Sequence, residues 1–97
     1  MKAIFIAFDQ AHYENIVTTL DRNSQRGFTY WEGVQGRGSK TGEPHYGSHA
    51  WPSTNSSIIT MVEDDRVERL LAALKALDDA KPALGLRAFV MNVEQCI

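Results

Sequence analysis

Residues 36 to 42 read Gly-Arg-Gly-Ser-Lys-Thr-Gly, three glycines interleaved with two cations. Successive backbone N–H groups in such a turn form a concave anion nest, and Arg37 and Lys40 place positive charge beside it. Gly36, Arg37, Gly38 and Lys40 are therefore candidate binding residues for a small anionic effector. A Walker A loop needs a glycine directly before the lysine and a helix directly after the motif. Here Ser39 precedes Lys40, and no helical pattern follows. The plainer alternative is a flexible hinge carrying solvated cations.

The next stretch, Glu43 to Pro52, holds two of the three histidines, His45 and His49, with Trp51 close behind. Neutral imidazoles suit zinc, copper or nickel, and a complete site needs one or two further ligands. Cys96, Glu43, His12 or Glu94, from the same or a neighbouring subunit, are available for that role. His45, His49 and Cys96 are the candidate set for a divalent transition metal. Its affinity would fall as pH drops through about 6.5, because coordination needs deprotonated imidazoles. Against this, Pro44 and Gly47 remove any helical logic from the spacing, and two loop histidines are more often simply solvated. No Ser/His/Asp or Cys/His arrangement suggests nucleophilic catalysis, and the chain is not read as an enzyme.

The elements that must carry these residues follow from hydrophobic period. Lys2 to Phe8 is apolar on both alternating faces and predicts an interior strand. Asp9 is placed to cap a helix in which Tyr13, Ile16, Val17 and Leu20 recur at helical spacing. Gly27 to Val34 contains four consecutive strand formers, Phe28 to Trp31, and predicts a second strand weakened by Gly33. After an aperiodic stretch from Gln35 to Asn55, expected to be a mobile recognition loop from about Arg37 to Thr54, Ser57 to Val62 predicts the third strand. Asp64 and Asp65 favour a helix N-terminus, and Val67, Leu70, Leu71, Leu74 and Leu77 mark that helix's buried face. Pro82 and Gly85 break the chain before a last strand from Leu86 to Val93.

Strand, helix, strand, strand, helix, strand is the ferredoxin-like βαββαβ order of the α+β class, a four-stranded antiparallel sheet with two helices on one face. A chain of 97 residues is expected to form one domain. The other sheet face is left bare, yet Phe5, Ile59, Met61, Phe89 and Met91, or their alternates, would line it. Self-association follows from that pattern. Ten basic against twelve acidic side chains supply no basic field for nucleic acid and no polybasic patch for a membrane surface. One cysteine allows no internal disulfide, and neither a signal peptide nor a spanning apolar run occurs, so a cytoplasmic setting is expected.

Gly27-Phe28-Thr29 through Val34-Gln35-Gly36-Arg37-Gly38-Ser39-Lys40-Thr41-Gly42 resembles the second strand and Gly-x-Gly-x-x-x-Gly loop base of the PII signalling proteins. Ile58 to Asp65 with the leucine-rich helix, and Arg87 to Val93, resemble that family's third strand, second helix and final strand. The resemblance implies a homotrimer whose subunit clefts bind a small effector, often an adenine nucleotide, and whose long T-loops, here about residues 35–55, dock onto a transporter or an enzyme. The family's phosphate loop is reduced here to Ala80-Lys81-Pro82-Ala83-Leu84-Gly85-Leu86, and its basic C-terminal extension is not present before the chain ends at Ile97. Arg37, Lys40, Lys81 and Arg87 are left as phosphate partners, with Arg87, from a neighbouring strand, as an anion partner at the subunit cleft by the loop base. ATP is therefore expected to bind weakly. The expected role is that of an effector sensor; a metal-binding relative linked to metal homeostasis is the alternative.

Overall fold

The computed structural model describes residues 1–35 and 55–97. Four strands, β1 (Lys2–Asp9), β2 (Thr29–Val34), β3 (Asn55–Val62) and β4 (Arg87–Asn92), form one antiparallel sheet in the order β2-β3-β1-β4. Helices α1 (Tyr13–Arg22) and α2 (Val67–Ala80) cover one face. This is the ferredoxin-like fold that the order of elements implies.

Burial explains the layering. Ile4, Ile6 and Phe8 of β1 and Ile58 and Val62 of β3 point toward the helices and are fully or almost fully buried. They meet Ile16 and Leu20 of α1 and Leu70 and Leu74 of α2 in one core, with Val67, Leu71 and Leu77 packed at its margin. Thr60 lies in the same inward row of β3 as Ile58 and Val62, and it too is buried.

The element boundaries depart from the sequence expectation at the junctions. Asp9 does not cap α1 directly. Its Oδ1 accepts the Ala11 N–H at 2.8 Å and so caps a short 3-10 turn, Gln10–His12, that precedes the helix. A similar turn, Asp64–Arg66, precedes α2, and the amino terminus pairs with Asp64 at 2.7 Å. β2 starts two residues later than expected and loses register between Trp31 and Val34, where Gly33 takes φ +71°. Only glycine enters that region without a steric penalty, so Gly33 shapes an irregularity in an edge strand.

Register settles which side chains the uncovered face presents. Phe89, Phe5 and Ile59 lie in one cross-strand row, Met91, Ala3 and Met61 in the next, and Arg87, Ala7, Ser57 and Trp31 in a third. Phe5 and Ile59 are half-buried by their neighbours, whereas Met61 (47%), Phe89 (50%), Met91 (45%) and Trp31 (46%) remain largely exposed. Val90, on the opposite side of β4 from Phe89, is also exposed because it lies on an edge strand. Among the described residues no helix is long and apolar enough to cross a membrane.

Candidate functional site

Thr60 organises one of the surface hollows among the described residues. The Gln25 amide Nε2 donates to Thr60 Oγ1 at 2.7 Å and to the Met61 carbonyl at 2.6 Å, while the Thr60 hydroxyl donates to the Gly27 carbonyl at 2.6 Å. These bonds tie the segment after α1 onto β3, in a buried setting where each unmade bond would be costly. The result is a fixed groove of about 270 Å³ lined by Gln25, Gly27, Phe28, Thr29, Ile59, Thr60 and Met61. Among the described residues no lysine or arginine lines it. Such a groove suits a flat, uncharged ring and supplies no cation for a phosphate.

A second hollow, about 390 Å³, lies where β2 meets the start of α1 and is lined by Gln10, Ala11, Tyr13, Glu14, Tyr30 and Glu32. The Tyr13 and Tyr30 ring centroids are 4.4 Å apart, the Tyr30 hydroxyl lies 3.3 Å from Ser56 Oγ, and Gln10 Nε2 donates to Glu32 Oε1 at 3.0 Å. With two carboxylates and, among the described residues, no cation in its lining, this hollow does not suit an anionic effector. The third, about 280 Å³, lies between α2 and β4 and is lined by Leu71, Leu74, Lys75, Asp78, Leu86, Arg87 and Ala88. Lys75 is engaged there by Asp79 at 3.1 Å, leaving Arg87 as the cation better placed for a ligand.

Arg87 is exposed at the start of β4, with its guanidinium 5.9 Å from the Phe89 ring centroid. Arg87 was expected beside the loop base at a subunit cleft, and within one chain the two stand apart. β4 and β2 are the two opposite edges of the sheet, three strand spacings or about 14 Å apart. Gln35 and Arg87 do lie toward the same end of the sheet, since Ala7 pairs with Arg87 and Val34 with Asn55, the partner of Asp9. Within one chain they do not meet.

Gly36, Arg37, Gly38 and Lys40 lie outside the described residues, as do His45, His49 and the expected loop from about Arg37 to Thr54. Cys96 is exposed on the C-terminal tail, and among the described residues no group of three or more His, Cys, Asp or Glu is placed to hold a metal. His12 is buried in the turn before α1, not free to complete a site on the surface. The Gln25, Gly27 and Thr60 groove was not foreseen. Its one signal in the sequence is Thr60, a hydroxyl between Ile58 and Val62 in the inward row.

Comparison with known proteins follows the same outline. The family model described as nitrogen regulatory protein P-II matches residues 1–97. The structure of CPII from Thiomonas intermedia K12 bound to ADP and bicarbonate aligns with a TM-score of 0.76 at 26% sequence identity, over 95% of this chain and 84% of that one. The same protein, described as a nitrogen regulatory PII-like protein and bound to ADP, AMP and bicarbonate, gives 0.77 at 24% identity over the same shares. A protein from Thermus thermophilus described as PII-like and signaling gives 0.69 at 24% identity, over 95% of this chain and 85% of the other. No curated protein sequence matches at a significant level.

Proposed function

The chain belongs to the nitrogen regulatory protein P-II family, and from that membership we propose that it is a homotrimeric sensor of a small anionic effector, bound where one subunit's β2 edge faces another's β4. The observation that supports this most is the division of the binding chemistry. The Gln25–Thr60 groove offers a ring-sized recess without charge. The described cation best placed for an anion, Arg87, stands on the opposite edge of the same chain. Among the described residues, a ring and a phosphate are both served only where two copies meet.

CPII is bound to ADP, AMP and bicarbonate in its structures, and we take the same effector classes, an adenine mono- or diphosphate and bicarbonate, as the first to test here. The long segment of residues 35–55 would then carry the response to a transporter or an enzyme, as a regulatory contact without catalysis of its own. ATP is expected to bind more weakly than ADP, because a triphosphate near −4 needs more fixed cations than Arg37, Lys40, Lys81 and Arg87 supply across a cleft.

Isothermal calorimetry decides among these ligands. Saturable binding of ADP or AMP that is lost in Arg87→Ala and in Thr60→Val supports the shared cleft. Binding of ATP tighter than ADP without metal would overturn the charge argument. If zinc or nickel saturates the chain, all the nucleotides and bicarbonate fail to bind, and His45→Ala/His49→Ala abolishes the metal response, the metal reading replaces the effector reading.

A further inference from the structure

His12 is 2% exposed, and neither of its ring nitrogens has a hydrogen-bond partner. Buried polar atoms are nearly always paired, so an imidazole left with two unmet nitrogens calls for a physical account. It sits in the 3-10 turn joining β1 to α1. The charges that reach it are Asp9 from the end of β1, Asp78 from the end of α2 and Lys81 just beyond it.

Both carboxylates already hold chain junctions. Asp9 Oδ1 accepts the Ala11 N–H at 2.8 Å and closes the turn that contains His12. Asp78 Oδ1 accepts the Leu86 N–H at 3.2 Å and anchors the chain as it enters β4. Burial, the largest influence, holds the His12 pKa below its usual 6.5; Asp9 and Asp78 oppose this and Lys81 reinforces it. The closed form therefore contains a neutral ring.

We propose that His12 is a proton-operated latch, whose protonation loosens the β1–α1 turn and the entry to β4 together. An imidazolium carries two N–H donors and no acceptor, and a buried cation must find acceptors or water. The carboxylates of Asp9 and Asp78 are the acceptors whose charge reaches the ring, and a carboxylate that swings toward the imidazolium carries with it the oxygen that holds Ala11 or Leu86. The other route is water entering an opened turn. The first route disturbs both junctions and the second the β1–α1 turn, and the reaction is the uptake of one solvent proton with nothing else exchanged.

The two junctions lie toward one end of the sheet, where β2 leads into Gln35 and β4 begins at Arg87. Protonation would therefore alter the geometry of that end with or without an effector. The latch does not depend on the effector reading, and its test uses the full chain alone.

Proton NMR of the His12 ring from pH 8 to 5, with amide exchange rates corrected for their intrinsic pH dependence, reads the latch directly. His12 should titrate below 6.5. Between 6.5 and that midpoint, protection at the Ala11 and Leu86 amides should fall toward the limit for one linked proton, about tenfold per pH unit, and level off below it, while Ile4 and Ile6 in mid-sheet hold theirs. In His12→Phe the two amides should show no such fall, and if that variant does not fold, His12→Gln serves as the uncharged control. A His12 midpoint at or above 6.5, protection at Ala11 and Leu86 that persists through the titration, or the same pH response in the control variant overturns the proposal.

Discussion

A single hydroxyl, that of Thr60, joins two segments distant in sequence: the link between α1 and β2, through Gln25 and Gly27, and β3. Thr60→Val keeps the shape of the side chain but leaves the Gly27 carbonyl and one Gln25 amide hydrogen without that partner. Stability should fall by about 1–3 kcal/mol, the cost of leaving buried polar groups unpaired, as measured by urea unfolding at fixed protein concentration. His12 carries the second prediction at this scale. Its pKa is lowered in the folded chain, so its contribution to stability is fully present above the unfolded value near 6.5 and is lost as pH falls through the lower folded value. The melting temperature of the parent should therefore drop more steeply between pH 7 and 5 than that of His12→Phe; parallel curves would contradict the burial of a neutral ring. Neither role was legible in the sequence, because a lone threonine and a lone histidine acquire partners, or lack them, only through long-range packing.

Among the elements, α2 and β1 were the most legible, since a leucine row at helical spacing and an apolar run with both faces filled each admit one reading. Leu74, almost fully buried, should cost about 2–5 kcal/mol as Leu74→Ala. The 3-10 turns before both helices were not legible, because the acidic residues Asp9 and Asp64 read the same whether the first turn is tight or α-helical. β2 was legible in kind and less so in extent. The edge position and the break at Gly33 leave it paired to β3 alone, so its aromatic run overstates its length. Gly33→Ala meets no atom within 4 Å, and its cost, about 1–2 kcal/mol from φ +71° alone, should appear in the same unfolding assay. A neutral result there would mean that the strand straightens without the glycine.

At the scale of the whole molecule, the uncovered sheet face is where sequence and structure agree on a consequence. Alternation in β1, β3 and β4 placed Phe5, Ile59, Met61, Phe89 and Met91 on one side, and the register puts them there in adjacent rows with Trp31 beside them. Alternation alone left open which of two faces the helices would take; packing of Ile4, Ile6 and Phe8 against α1 and α2 decided it. Burying each large exposed side chain of that face is worth about 1.5–3 kcal/mol, enough in sum to offset the entropy of assembly. A charge in the middle of the face reverses the balance. Sedimentation equilibrium at micromolar concentration tests this most directly. The account predicts a species of about 33 kDa, three times the 10.9 kDa chain, that falls to a folded monomer in Phe89→Glu. A parent that sediments as a monomer, or a Phe89→Glu variant that keeps the trimer mass, would contradict it.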